Sequence, residues 1–106
     1  MFFELREYRT KPGQRKAWVK FMEEVIIPFQ ASKGMVIAGS FVGAEEDDLY
    51  VWIRRFDSEE ERQSLYDAVY QSDEWKNVIA PQVPAMMDRE RIVVRRLEPT
   101  LRSVVR

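Results

Sequence analysis

A chain of 106 residues, 45% hydrophobic and 33% charged, with a formal net charge of −1, has the composition of one folded domain and not of a disordered chain. No stretch reaches the roughly 18 apolar residues of a membrane-spanning helix, and no basic-then-apolar leader opens the chain, so a cytoplasmic protein with no membrane partner is expected. Cysteine and histidine are both absent, which excludes disulfides, thiolate nucleophiles, the usual zinc sites and histidine-ligated haem, and leaves any proton transfer to Glu, Asp, Tyr, Lys or Arg.

Residues 2 to 9 alternate, with Phe2, Phe3, Leu5 and Tyr8 among them, and predict a first strand. Lys11-Pro12-Gly13 breaks it. From Gln14 the apolar positions Trp18, Phe21, Met22, Val25 and Phe29 recur at helical spacing. Pro28 removes a hydrogen bond to the Glu24 carbonyl, so a kink or an end is expected there, and Gly34 supplies the stop. Residues 35 to 43 read as a second strand weakened by Gly39, residues 44 to 48 as a charged hairpin loop, and residues 49 to 56 as a third strand of high β propensity. Ser58 and Glu61 form a capping box opening a helix with the stripe Arg62, Leu65, Tyr66, Val69 and Tyr70. One or two further helical turns around Trp75 are expected to end at Pro81 and Pro84. Residues 89 to 97 read as the last strand, giving a single domain over residues 1 to 98 and a tail over 99 to 106.

The order β-α-β-β-α-β is the split βαβ of ferredoxin-like α+β folds. It predicts an antiparallel sheet ordered 4-1-3-2 with both helices on one face. The third strand separates Leu49, Val51 and Ile53 from Tyr50, Trp52, Arg54 and Phe56. The small aliphatic set, with Phe3 and Leu5, is expected beneath the helices. Glu4, Arg6 and Tyr8 then share the open face with Tyr50, Trp52 and Arg54, pairing Glu4 with Arg54, Arg6 with Trp52 and Tyr8 with Tyr50 across the strands. A guanidinium, that of Arg6, is expected over the Trp52 indole. So large an aromatic face calls for a cover, and a homodimer packed sheet to sheet is the expected one.

Charge is uneven along the chain. Residues 1 to 20 hold six Lys or Arg against two Glu, residues 89 to 106 hold six Arg against two Glu, and residues 43 to 74 hold eleven acidic groups against three Arg. The basic groups are interleaved with core-type residues, so pairing within the fold or across a subunit contact is expected and no nucleic acid. Glu45 to Asp48 lacks the spacing of a calcium loop, and no glycine loop for phosphates is present, so neither metal nor cofactor is expected. Met86 and Met87 are expected to fill a core gap, and of Arg95 and Arg96 at most one can join the candidate cavity.

The segments "ELREYRTKPGQ", "GSFVG", "LYVWIRRF" and "YQSDEW" together resemble the NIPSNAP family, a branch of the dimeric α/β-barrel superfamily, over roughly residues 3 to 98. The "ELR-Y…KPG" opening carries most of the likeness. The resemblance implies a ferredoxin-like subunit that dimerises through its sheets. Animal members resemble two such domains in tandem behind a mitochondrial targeting segment, which this sequence does not match. The family has no agreed chemical activity, while other branches of the superfamily include cofactor-independent monooxygenases, haem-degrading enzymes and muconolactone-type isomerases.

Three functional readings follow. Glu4, Arg6, Tyr8, Tyr50, Trp52 and Arg54 form a satisfied network beneath a dimer contact, or they line a cleft for a small, partly aromatic or anionic molecule. In the second case the arginines meet the anion and Tyr50 and Trp52 stack on it. The third reading is a cofactor-independent monooxygenase or isomerase. There Tyr8 or Glu4 would transfer the proton, and Glu4 only if burial raised its pKa against the pull of Arg54.

Overall fold

The computed structural model describes all 106 residues, Met1 to Arg106. Its first strand, β1 (Phe2–Thr10), is flanked on both sides by antiparallel partners, β3 (Leu49–Phe56) and β4 (Met87–Leu97). The edge strand β2 (Val36–Val42) pairs antiparallel with β3, so the four-stranded sheet has the order β2-β3-β1-β4, as the α+β reading predicts. The last strand starts two residues earlier than the sequence pattern indicates, because Met87 pairs with Thr10.

Three helices connect the strands. Helix α1 (Arg15–Phe21) runs into a π-helical segment, Met22–Ile26, in which the Ile27 amide bonds the Met22 carbonyl, and then into α2 (Ile27–Ser32). Pro28 therefore does not end the helix. It follows directly on the π-helical turn, where the i to i−4 ladder is already interrupted. The real end is a Schellman motif: Met35 donates to Gln30 and Gly34 to Ala31, with Gly34 at φ 105°.

Helix α3 (Glu59–Tyr70) opens on Ser58, whose hydroxyl accepts from the Glu61 amide at 3.0 Å. Glu61 reaches back to the Asp57 amide, one residue beyond the N-cap amide of the usual box. A second π-helical segment, Trp75–Ile79, continues into a 3-10 helix over Ala80–Ala85 that carries both Pro81 and Pro84. The prolines are accommodated there because a tighter coil sets less of the backbone in i to i−4 bonds.

The side of the sheet that meets the helices is the reverse of the sequence expectation. Tyr50, Trp52, Arg54 and Phe56 are at most 2% exposed and pack against helical residues such as Trp18, Met22 and Val69. Phe2, Glu4 and Tyr8 are buried with them. Leu5, Leu49, Val51 and Ile53 lie on the other face, only half-buried, and Phe3 is covered there beside Leu97, Pro99 and Val105 of the C-terminal segment. The reason lies in the helices. Their inward stripes carry Gln30, Arg62, Tyr66 and Tyr70, polar tips that satisfy a charged row but would be wasted on aliphatics. Met87 is buried and Met86 packs on the same cluster, as expected. No helix is long and apolar enough to cross a membrane.

Candidate functional site

The predicted row is intact although its face is changed. The register pairs Glu4 with Arg54, Arg6 with Trp52 and Tyr8 with Tyr50. At its centre the Glu4 carboxylate, 2% exposed, collects three guanidiniums. Its Oε1 accepts from Arg54 Nη2 at 2.6 Å, from the Tyr66 hydroxyl and from Arg6 Nη1 at 3.3 Å, while Oε2 accepts from Arg62 Nε at 2.9 Å. Arg54 is fully enclosed, and its Nη1 donates to Gln30 Oε1 at 2.8 Å and to the Tyr70 hydroxyl at 2.7 Å. The guanidinium over the Trp52 ring is that of Arg54, 4.6 Å from the centroid, and not that of Arg6. Arg6 instead leans on Tyr8, donating from Nε to the hydroxyl at 2.8 Å.

Burial alone would raise the Glu4 carboxyl. The Tyr66 hydrogen bond and the charge and hydrogen bonds of Arg54, with help from Arg62, outweigh it and hold the group at about 2. Burial pushes Tyr8 up, against the pull of Arg6. It also pushes Tyr50 up to about 12, although Ser40 bonds that hydroxyl at 2.6 Å. Tyr66 rises to about 12 for the same reason, with Arg54 opposing. A carboxylate fixed as an anion and phenols fixed as neutral groups suit electrostatic binding better than proton transfer near neutral pH.

Beside this network, between sheet and helices, lies a cavity of about 370 Å³. Arg6, Tyr8 and Trp52 line it. Glu4, Tyr50 and Arg54 do not, and stand behind the wall. The remaining wall comes from residues outside the six expected from the sequence: Trp18, Met22 and Ile26 from the first helical run, Tyr66, Tyr70 and Trp75 from the second, Val83 from the 3-10 helix, and Met87, Arg89 and Ile92 from β4. All three tryptophans of the chain face it. The indole N–H groups of Trp18 and Trp52 are buried with no protein acceptor. Arg95 and Arg96 stay outside: Arg96 lies over the Phe2 ring at 4.1 Å and forms an ion pair with Glu59 at 2.7 Å. The missed signal was the helix α3 stripe itself. Its aromatic and cationic members, Tyr66, Tyr70 and Arg62, repeat the character of the strand row they meet.

The acidic loop has a structural role in view. Glu46 and Asp48 each accept from Arg9 Nη1 at 2.9 Å.

A NIPSNAP family model matches residues 3–99. Among solved structures, the chain is similar to protein Atu4242 from Agrobacterium tumefaciens, with a TM-score of 0.89, 23% identity and 100% of both chains covered. That protein is also described as a NIPSNAP family protein with unknown function. A second NIPSNAP family protein of that organism, Atu5224, has a TM-score of 0.87 at 23% identity, with 99% of this chain and 98% of that chain covered. An uncharacterized NIPSNAP-like domain protein from Burkholderia xenovorans reaches 0.85 at 17% identity, covering 96% of this chain and 87% of its own. No curated protein matches the chain.

Proposed function

The chain belongs to the NIPSNAP family, whose solved relatives carry no defined activity, and from its own geometry we propose that it binds a small, largely aromatic anion between sheet and helices. One observation carries this reading. The cavity is walled by aromatic rings and thioethers, and its only charged lining residues are Arg6 and Arg89, with no carboxylate on the wall. Such a space rewards a flat apolar body bearing negative charge. The site differs in place from the sequence expectation, which put it on the open face at a dimer contact, but keeps its chemistry. A titration with arylalkanoic acids, followed by tryptophan emission, tests it. Saturable changes are expected, and an unchanged emission across aromatic anions of this size would sink the reading.

The open face supports a second, compatible proposal: a homodimer formed by packing two sheets. Val36, Phe41, Val93 and Leu97 are 40–55% exposed there, next to half-buried Leu5, Val51 and Ile53. This is a largely apolar surface on one side of a sheet, interrupted by Glu7, Arg55 and Arg95. An isologous contact buries the same residues twice. Light scattering at micromolar concentration should give twice the 12.6 kDa of the chain, and Val51→Arg should return it to one. A monomeric parent protein would refute the dimer.

A further inference from the structure

Resting on the reading of the cavity as a ligand site, we infer that its occupant presents a carboxylate, held by Arg6 and by the hydroxyl protons of Tyr8 and Tyr70, and that the neutral carboxamide of the same shape is rejected. Three tyrosine hydroxyls reach the wall, and the arginines sort them. Tyr66 gives its proton to Glu4 and is spent. Tyr8 accepts from Arg6 Nε at 2.8 Å, and no protein group takes its own proton. Tyr70 accepts twice, from Arg54 Nη1 at 2.7 Å and Gln30 Nε2 at 3.2 Å, so both its acceptor positions are filled and its proton is left over. Arg6, Arg54 and Gln30 thus turn these two hydroxyls into acceptors on the protein side and leave the proton of each to donate.

Arg6 is likewise the cation with charge to spare. Glu4 is held closely by Arg54 at 2.6 Å and Arg62 at 2.9 Å, while Arg6 stands off at 3.3 Å, with its side chain 20% exposed and its Nη2 without a partner. The indole N–H groups of Trp18 and Trp52 add unpartnered donors. A lining that donates and scarcely accepts matches the two oxygens of a carboxylate. A carboxamide would turn its own NH2 onto donors and leave a buried polar group unpaired, which a site of this kind discriminates against strongly. A phosphate dianion fits less well, because only Arg6 and the exposed Arg89 stand free to neutralise it.

The test uses 15N-labelled protein, in which the three indole N–H cross-peaks report the cavity wall directly. Phenylacetate and 3-phenylpropanoate are titrated beside phenylacetamide and 3-phenylpropanamide. The acids are expected to move the indole peaks with dissociation constants at least about tenfold below those of their amides. Tyr8→Phe, which keeps the ring but loses the donated proton and the acceptor of Arg6 Nε, is expected to weaken the acids severalfold and leave the amides unchanged. Amides that bind as tightly as acids overturn the carboxylate assignment while leaving the cavity a ligand site. If neither series moves an indole peak at millimolar concentration, the cavity reading itself falls, and the carboxylate with it.

Discussion

Replacing Glu4 by Gln removes one negative charge from the centre of three guanidiniums and changes almost no volume. The magnitude follows from two independent routes. The carboxyl is held at about 2 against an ordinary 4.5, and that difference corresponds to roughly 3 kcal/mol of stabilisation of the ionised form. Breaking a buried ion pair by deleting one partner costs about 3–5 kcal/mol, because the other charge is left uncompensated. Here that charge belongs to Arg54, which has no exposure at all. Urea unfolding followed by circular dichroism at pH 7 should therefore show Glu4→Gln destabilised by about 3 kcal/mol, on the order of 10–20 °C in a melt of a domain this size. The sign of the pH dependence is fixed. A depressed carboxyl stabilises above its unfolded value and loses that contribution as pH falls through the folded one. The parent should weaken between about pH 4.5 and 2, and the gap to Glu4→Gln should close over that window. A gap below about 1 kcal/mol at pH 7, or one that persists unchanged to pH 2, refutes the reasoning.

Met22 is fully buried where the cavity wall meets the core, and Met22→Ala should cost about 2–5 kcal/mol in urea unfolding. Leu5→Ala, on the half-buried open face, should cost less than Met22→Ala in the same assay, since it opens no void beneath the helices. Ser58→Ala removes the cap on the Glu61 amide and should lower stability by about 1 kcal/mol, readable as a shift in the urea midpoint with an unchanged slope. Gly34→Ala forces a side chain into φ 105° with Leu65 Cδ2 3.1 Å from the new carbon, and a clear fall in melting temperature is expected.

The strand order and the cross-strand register were legible because alternation, turn residues and capping signals are local. Glu4, Arg54 and their neighbours could be paired from spacing alone. Which face those residues took was not legible from the strands. Both rows of β3 are fit to be buried: one is aliphatic, the other larger, aromatic and charged. The decision belonged to the helices. Gln30 breaks an apolar stripe as a fully buried amide, and Arg62, Tyr66 and Tyr70 supply the donors and acceptors that Arg54 and Glu4 require. A charged row is stable inside only where such partners face it, so the polar members of an otherwise apolar helix stripe were the deciding signal. The cavity was less legible still. Trp75 and Arg89 reach it from the other end of the chain, and only the folded arrangement brings them beside Arg6.

The two π-helical segments carry a consequence for how this pocket can change its shape. Trp18 and Gln30 lie twelve positions apart. At about 100° of rotation per residue, a regular α-helix would leave them about 120° out of phase. Both are nonetheless turned to the sheet, because the wide turn over Met22–Ile26 absorbs one residue, so the run rotates as if it held eleven steps, within about 20° of three whole turns. Met22 and Ile26, inside that absorbed length, line the cavity, and so does Trp75, which opens the second such segment. A single-residue deletion within either segment would regularise the helix and keep its two ends in phase. Only the stretch of wall between them would be redrawn, so the pocket can be resized one residue at a time while the sheet and its buried charges stay in place.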